Sequence, residues 1–152
     1  MAQNAITFGT AQVELGLAPM RDAWILEGTP VTRNKMLSGS TDGSATTYIW
    51  DCTAGRFNWY YDIDETVYVI EGSVTVKDHR GGSRKLVAGD TAFFPAGSSA
   101  EWTVEKYVRK VAFLQVPMPR PLRLAKRVVR SLKRLVRGNS AGDAAPNMFQ
   151  SN

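Results

Sequence analysis

The sequence predicts an all-β fold, an antiparallel sandwich or barrel, followed by one helix near the C-terminus. Between residues 45 and 116, short runs rich in β-branched and aromatic residues alternate with Gly-, Pro- or Asp-containing turns. No segment with helical spacing separates these runs, which is typical of antiparallel sheets rather than of parallel sheets with crossover helices. The apolar spacing becomes helical only after residue 121.

The N-terminal third gives weaker signals. Residues 24–26 and 31–38 are candidate strands on either side of a turn at residues 28–30. The sequence SGSTDGS at residues 38–44 indicates a turn, because Asp-Gly tolerates a positive φ angle. Residues 45–52, rich in Thr, Tyr, Ile and Trp, then predict the first clear strand.

The central strands are predicted by alternation and by the turns between them. We expect Gly72 to make a tight turn between two strands, and we expect His79 to lie at a hairpin tip. Further turns are predicted around Gly89 and Gly97. The predicted strands cover residues 66–70, 73–77, 83–87, 91–94, 100–104 and 108–116.

Three prolines end the sheet pattern. Pro117, Pro119 and Pro121 lack an amide donor, so no central strand can include them. From Leu122 onward, apolar residues recur at helical spacing and basic residues occupy the opposite face. This pattern predicts an amphipathic helix of about four turns that ends at Gly138.

We therefore expect three parts: a β domain at residues 1–118, a basic amphipathic helix at residues 119–138 and a flexible tail at residues 139–152. The net charge of +5 is unevenly distributed among them. Residues 120–137 contain eight Lys or Arg and no acid, whereas the β domain contains 11 basic and 13 acidic residues. The high isoelectric point therefore says nothing about a ligand of the β domain.

Three roles stay open for the basic helix. It packs against the barrel or against a second subunit of a homodimer, binds an anionic membrane surface through residues 120–137, or binds nucleic acid. Nucleic acid ranks last, because no aromatic platform or known motif accompanies the cations.

Compartment signals favour the cytoplasm. No apolar run reaches the length of about 18 residues that spans a bilayer. The N-terminus lacks the basic start and apolar block of a secretory signal. Cys52 is the only cysteine, which excludes an internal disulfide and a cysteine-based zinc cluster. We expect a cytoplasmic protein in which Cys52 is a small core residue.

Two motifs with fixed spacing lie in the centre of the chain. Six residues separate Glu65 from Gly72, and Gly89, Pro95 and Gly97 follow the spacing G-x5-P-x-G. The pair resembles the two motifs of cupins, G-x5-H-x-H-x3/4-E-x6-G and G-x5-P-x-G-x2-H-x3-N. The phrases WDCTAGRF, DETVYVIEG and GDTAFFPAGSSAEW look most like the ureidoglycine aminohydrolase-like subgroup. The resemblance implies a cupin-type antiparallel β-barrel, or jelly roll.

The resemblance also implies a metal site, but the donors are missing. Cupins usually hold a metal with three histidines and a glutamate. Glu65 is kept, whereas the three histidine positions carry Trp59, Tyr61 and Ala100, and the only histidine is His79. First-row divalent metals prefer imidazole and carboxylate ligands. We therefore expect neither a metal nor another cofactor.

If the inward positions of cupins carry over, a ligand pocket is lined by Trp59, Tyr61, Glu65, Ala100 and Trp102. An aromatic wall with one carboxylate suits a planar or cationic ligand, so we expect binding of a small metabolite, with nitrogenous compounds among the candidates. The alternative in which Trp59 and Trp102 simply fill the barrel and Glu65 is structural stays open.

Two further functions stay open. One is an enzyme related to ureidoglycine aminohydrolase, with Glu65 as general acid or base and Tyr61 as its partner. The other is an interaction or membrane-peripheral protein that acts through the basic helix. Other polar residues give no positional signal. A surface location is the default for Lys35, Arg56 and the Arg109–Lys110 pair.

Overall fold

The computed structural model describes residues 6–119, together with Val128 and Val129. Apart from Pro119, Val128 and Val129, the predicted basic helix and the predicted tail lie outside the described residues. The packing, membrane and nucleic-acid roles of the helix therefore stay predictions. No helix within the described part of the chain is long and apolar enough to cross a membrane.

The described part of the fold consists of eight antiparallel strands and one turn of 3-10 helix at Asp22–Trp24. The strands are β1 (Gly16–Leu17), β2 (Ile25–Gly28), β3 (Thr32–Gly39), β4 (Ala45–Tyr60), β5 (Asp64–Asp78), β6 (Ser83–Val87), β7 (Thr91–Phe94) and β8 (Ser99–Gln115). All of them lie in one compact unit that ends at Pro117. The prediction of an all-β antiparallel fold is confirmed.

Three long strands carry the barrel. β8 lies between β4 and β5 and pairs with both along most of its length. The other edge of β4 pairs with β3 and β2, and the other edge of β5 pairs with β7 and β6. The strand order is β1-β3-β4-β8-β5-β6, with β2 beside β4 and β7 beside β5.

The long strands bend at irregularities where the sequence predicts turns or strand ends. β5 runs through Gly72 instead of turning there, and β8 joins the strands predicted at residues 100–104 and 108–116. The register shifts on both sides of Gly72, which has φ of 71°. A Cβ atom at Gly72 would lie 2.0 Å from the carbonyl oxygen of Tyr107, so only glycine allows this close approach.

Alternation along the strands builds the inner face of the barrel. Glu65, Val67 and Val69 of β5 are buried, whereas Tyr68 between them is exposed. In β8 the buried positions Val108, Lys110 and Ala112 follow the same period of two. This pattern directs one acidic and one basic side chain into the interior. Lys110 is 3% exposed, so the default surface location of this residue is wrong.

Candidate functional site

A cavity of about 520 Å³ lies on the inner face of the barrel, bounded by β3, β4, β5, β8 and the segment that precedes β2. Its lining combines aromatic rings with a few polar groups. The aromatic residues are Trp24, Tyr48, Trp50 and Trp59, and the polar or charged ones are Arg21, Asn34, Thr46, Glu65 and Lys110.

The aromatic wall comes from two elements. β4 supplies Trp50 and Trp59, which lie on either side of a bulge between Thr53 and Gly55 and both line the cavity, and the 3-10 helix supplies Trp24. The rings meet edge to face, with centroids 5.3 Å apart for Trp24 and Trp59 and 5.8 Å apart for Trp50 and Trp59. Arg21 lies over the Trp24 ring, 5.4 Å from its centroid. Such contacts hold the rings in fixed orientations.

A buried ion pair forms the polar part of the cavity. Lys110 Nζ donates a hydrogen bond to Glu65 Oε1 at 2.5 Å, and the two side chains are 4% and 7% exposed. β5 and β8 are neighbours in the sheet, so both side chains reach the same interior space. Burial of either charge alone would be costly, and the partner offsets that cost.

Two tryptophans enclose the ammonium group. Lys110 Nζ lies 4.8 Å from the ring centroids of both Trp50 and Trp102, a distance at which the ring faces attract a cation. An ammonium has three N–H groups. Within residues 6–119, the side chains of Lys110 and Glu65 form no hydrogen bond other than the one between them. Unused donors of Lys110 and the second oxygen of Glu65 are therefore available to a ligand.

The structure places the sequence-predicted site residues in two groups. Trp59 and Glu65 line the cavity. Ala100, Tyr61 and Trp102 are buried in the hydrophobic core and are absent from the cavity lining. Trp102 reaches the site only indirectly, because its ring contacts the ammonium of Lys110.

Tyr61 is held in the core by its ring and its hydroxyl group. Its ring stacks on Phe94 with centroids 4.5 Å apart, and its hydroxyl accepts a hydrogen bond from Trp102 Nε1 at 3.0 Å. Burial, followed by the nearby charge of Glu65, raises the pKa of Tyr61 well above its usual range. The phenol is thus absent from the cavity lining and a poor proton donor.

Sequence reasoning missed Lys110, together with Trp24 and Trp50 of the aromatic wall. A signal for the lysine exists in the alternation of β8, where Val108, Lys110, Ala112 and Leu114 occupy one face. Three of these four residues are apolar, which is typical of an inward-facing row. A lysine within such a row indicates a buried cation, and Glu65 was the one predicted inward acid.

The donor set of the cavity does not fit a metal ion. Trp59, Tyr61 and Ala100 stand at the histidine positions of the motifs, and the remaining carboxylate of Glu65 is bonded to an ammonium group. His79 is exposed. Across the residues that the structure describes, no group of three or more His, Cys, Asp or Glu side chains could hold a metal.

A second buried carboxylate lies on the outer face of the same sheet. Asp51 of β4 is 1% exposed and accepts hydrogen bonds from Arg33 Nε at 2.9 Å, Arg33 Nη2 at 2.6 Å and the Tyr107 hydroxyl at 2.8 Å. Arg109 Nη1 lies 3.7 Å from the same carboxylate. The hydrogen bonds and the charge of Asp51 raise the pKa of Arg33 above its ordinary value.

Arg109 also fixes the N-terminal segment on this outer face. Its Nη2 atom donates to the carbonyl oxygens of Ala11 and Val13, both at 2.8 Å. Arg109 is only 13% exposed in its side chain, so its default surface location is also incorrect. The outer cluster around Asp51 therefore joins β3, β4 and β8 to the segment that crosses them.

Comparison with known proteins identifies related domains. Residues 39–112 match the EutQ-like cupin domain family. A DUF861-family protein of unknown function from Pseudomonas syringae pv. tomato is 26% identical, with a TM-score of 0.64; the match covers 70% of this chain and 46% of that protein. The chain thus spans less than half of that relative. No curated protein matches the chain.

Two further solved structures are more distant and show the fold alone. Clostridium difficile EutQ is 20% identical with a TM-score of 0.52, and the match covers 65% of this chain and 81% of EutQ. The polyketide cyclase RemF from Streptomyces resistomycificus is 16% identical with a TM-score of 0.57, and the match covers 76% of this chain and 82% of RemF.

Proposed function

We propose that the chain is a cupin, as the match of residues 39–112 to the EutQ-like cupin domain family supports, and that its barrel binds a small planar metabolite with an amide-like edge. The observation that carries this proposal is the buried Glu65–Lys110 pair inside an aromatic cavity. The volume of about 520 Å³ falls within the range of roughly 300–1,000 Å³ that is usual for small-molecule sites.

The charge balance of the lining argues against a cationic ligand. The sequence alone leaves Glu65 as a lone acid, which favours a planar or cationic molecule. In the structure, Lys110 neutralises that carboxylate, and Arg21 remains as a further positive group of the lining. A neutral or singly anionic molecule is therefore the better match, and the planar shape still suits the walls formed by Trp24, Trp50 and Trp59.

The ion pair presents a donor and an acceptor side by side. The ammonium of Lys110 can donate to a ligand carbonyl, and the free oxygen of Glu65 can accept from an adjacent N–H group. Amides, lactams and ureides carry these two groups on one edge. The pair thus favours nitrogenous ligands of this class, because charge-assisted hydrogen bonds are stronger than neutral ones.

Benzamide provides a direct test, because it combines an aromatic ring with an amide edge. We expect saturable binding in calorimetry, together with a change in tryptophan fluorescence. The Glu65→Gln variant places an N–H group opposite the ligand N–H, so its affinity should fall on the order of tenfold. Toluene, which has the ring without the amide, should bind wild type and Glu65→Gln equally.

The matched control for this test is Glu71→Gln, which makes the same substitution at an exposed position of β5. It should bind benzamide as the wild type does. Equal affinities in Glu65→Gln and Glu71→Gln, or no binding of benzamide to the wild type, would contradict the proposal.

An enzyme related to ureidoglycine aminohydrolase is the second candidate, and the same pair favours it. In this hypothesis Lys110 replaces Tyr61 as the partner of Glu65, because Tyr61 does not line the cavity. The two groups would exchange a proton during hydrolysis of a ureide. Ammonia release from a ureide by wild type, and its loss in Glu65→Gln with folding retained, would support catalysis.

A further inference from the structure

We propose that Lys110 is an amine nucleophile that forms an imine with a small aromatic aldehyde or ketone in the cavity. The inference rests on the proposed function, since it uses the same cavity, and adds a covalent step at Nζ. It identifies carbonyl compounds as a further ligand class, with Glu65 as the group that moves the protons.

The placement of Lys110 differs from that of the other lysines in the described part of the chain. Lys35, Lys77, Lys85 and Lys106 are exposed on the surface. Lys110 is 3% exposed and lines the cavity, and its Nζ atom has a proton acceptor at 2.5 Å. A buried amine with an adjacent base is the arrangement that activates a lysine for attack on a carbonyl.

The step begins with proton transfer from the ammonium of Lys110 to Glu65. The amine lone pair then attacks the carbonyl carbon and forms the C–N bond. The π electrons of the carbonyl move to its oxygen, which takes the proton from Glu65 and becomes the hydroxyl of a carbinolamine.

Glu65 completes the reaction as a shuttle. The carboxylate removes a proton from the carbinolamine nitrogen and returns it to the hydroxyl group. The C–O bond then breaks, water leaves, and a protonated imine remains paired with the Glu65 carboxylate. One ammonium and one carbonyl give one protonated imine and one water, so neither an oxidant nor another reactant is needed.

The aromatic wall supplies orientation for this step. The rings of Trp50 and Trp102 both contact Nζ, and Trp24, Trp50 and Trp59 line the cavity next to it. An aromatic carbonyl compound packed against these rings would present its carbonyl group to Nζ. Fixing two reactants in this way raises their effective concentration greatly.

The experiment uses the full chain, benzaldehyde and sodium cyanoborohydride, which reduces an imine to a stable amine. Peptide mass mapping then locates each benzyl group. We expect preferential labelling of Lys110 at low benzaldehyde concentration, with exposed lysines such as Lys35 and Lys106 labelled later. Labelling of exposed lysines with Lys110 unmodified, or labelling without preference, would overturn the proposal.

Three variants test whether Lys110 is the residue that forms the imine and whether Glu65 assists it. Lys110→Met should lose the preferential label, and Lys106→Met, the matched exposed substitution, should keep it. Glu65→Gln should slow labelling of Lys110 on the order of a hundredfold, because the proton shuttle is removed. If Lys110→Met does not fold, the wild-type peptide map still decides the question.

Benzamide separates this proposal from the binding function. If benzamide binds and competes with toluene, but benzaldehyde leaves Lys110 unlabelled, imine formation is refuted and the binding function stands. If neither benzamide nor benzaldehyde enters the cavity, both proposals are refuted. Protection of Lys110 from benzaldehyde by benzamide would support both.

Discussion

Two buried carboxylates on opposite faces of one sheet differ in how fully they are bonded. On the outer face, Asp51 accepts three hydrogen bonds from Arg33 and Tyr107 and has a second arginine nearby. On the inner face, Glu65 accepts one described hydrogen bond, from Lys110. A saturated carboxylate holds strands together, whereas one with spare bonding capacity beside a cavity is available for a ligand.

A single step along the chain separates these two roles. Asp51 lies opposite Arg109 in the β4–β8 register, and Trp50 lies opposite Lys110. Successive residues of a strand point to opposite faces, so Arg109 reaches the outer cluster and Lys110 reaches the cavity. The comparison leads to four predictions, beginning with the largest expected effect.

Replacing Asp51 by alanine should destabilise the fold most. Arg33 is 41% exposed and can turn to solvent, but Arg109 is 13% exposed and would keep a buried charge without its carboxylate. We expect the free energy of unfolding to fall by about 3–5 kcal/mol in urea denaturation. Glu27→Ala is the control, because it removes an acid from an exposed pair with Arg56. A change no larger than that of the control would show that the outer cluster is not structural.

The Glu65–Lys110 ion pair on the inner face should behave as an isolated two-residue unit. Lys110→Met leaves the Glu65 carboxylate unpaired in the interior and should cost about 3 kcal/mol. Adding Glu65→Leu to that variant should restore most of the lost stability, because an apolar pair of similar volume avoids the cost of burying the charges.

A double-mutant cycle in urea measures this coupling. Combining Asp51→Leu with Arg33→Met should restore much less, since Arg109 and Tyr107 remain without their acceptor. Similar recovery at both sites would mean that the two carboxylates are equivalent, which would remove the structural basis for assigning function to Glu65.

The cavity wall should affect binding more than stability. Trp24 is half-buried and reaches the cavity from the 3-10 helix. Trp24→Ala should weaken benzamide binding by about 0.5–1.5 kcal/mol, since a ring contact of this kind contributes about that much. Calorimetry measures the affinity, and urea denaturation measures the accompanying stability change.

Tyr68→Ala provides the matched aromatic substitution on the exposed face of β5. It should leave the affinity for benzamide unchanged. If both variants bind equally well, the space beside Trp24 is not the binding site, even if Lys110 and Glu65 remain paired.

The sequence predicted the short strands well and the long ones poorly, for a physical reason. β6 and β7 match residues 83–87 and 91–94 because sharp turns bound them at both ends. β5 and β8 bend at bulges where the register shifts. The two strands stay paired on both sides of each bulge, so one long strand covers two predicted short ones. Glycine at position 72 permits the positive φ angle of 71° seen in the structure, but the local sequence does not indicate whether the chain turns there or continues as a strand.

The candidate site was only half predictable, because its chemistry comes from a long-range contact. The cupin motif marked Glu65, and the same motif placed Trp59 toward the interior. Lys110 lies 45 residues from Glu65, so which strand brings a cation to that acid depends on the pairing of β5 with β8. The alternation of apolar residues in β8 indicates that Lys110 points inward, but it does not identify the residue with which Lys110 pairs.

Cys52 follows Asp51 on β4 and is buried in the core near both charged groups, and the prediction with the smallest expected effect concerns the reactivity of its thiol. Burial, followed by the charge of Asp51, raises the pKa of Cys52 from 9.0 to about 12, while Lys110 acts in the opposite direction. Because the folded pKa is the higher one, this contribution to stability is complete below about pH 9 and is lost as the pH rises toward about 12. Between pH 7 and 8, the native thiol should react with iodoacetamide only as fast as the protein opens. Alkylation at the rate found in urea would show that the core around Cys52, next to Asp51 and Lys110, is open to solvent, and both carboxylates would then lose the buried setting on which their contrast depends.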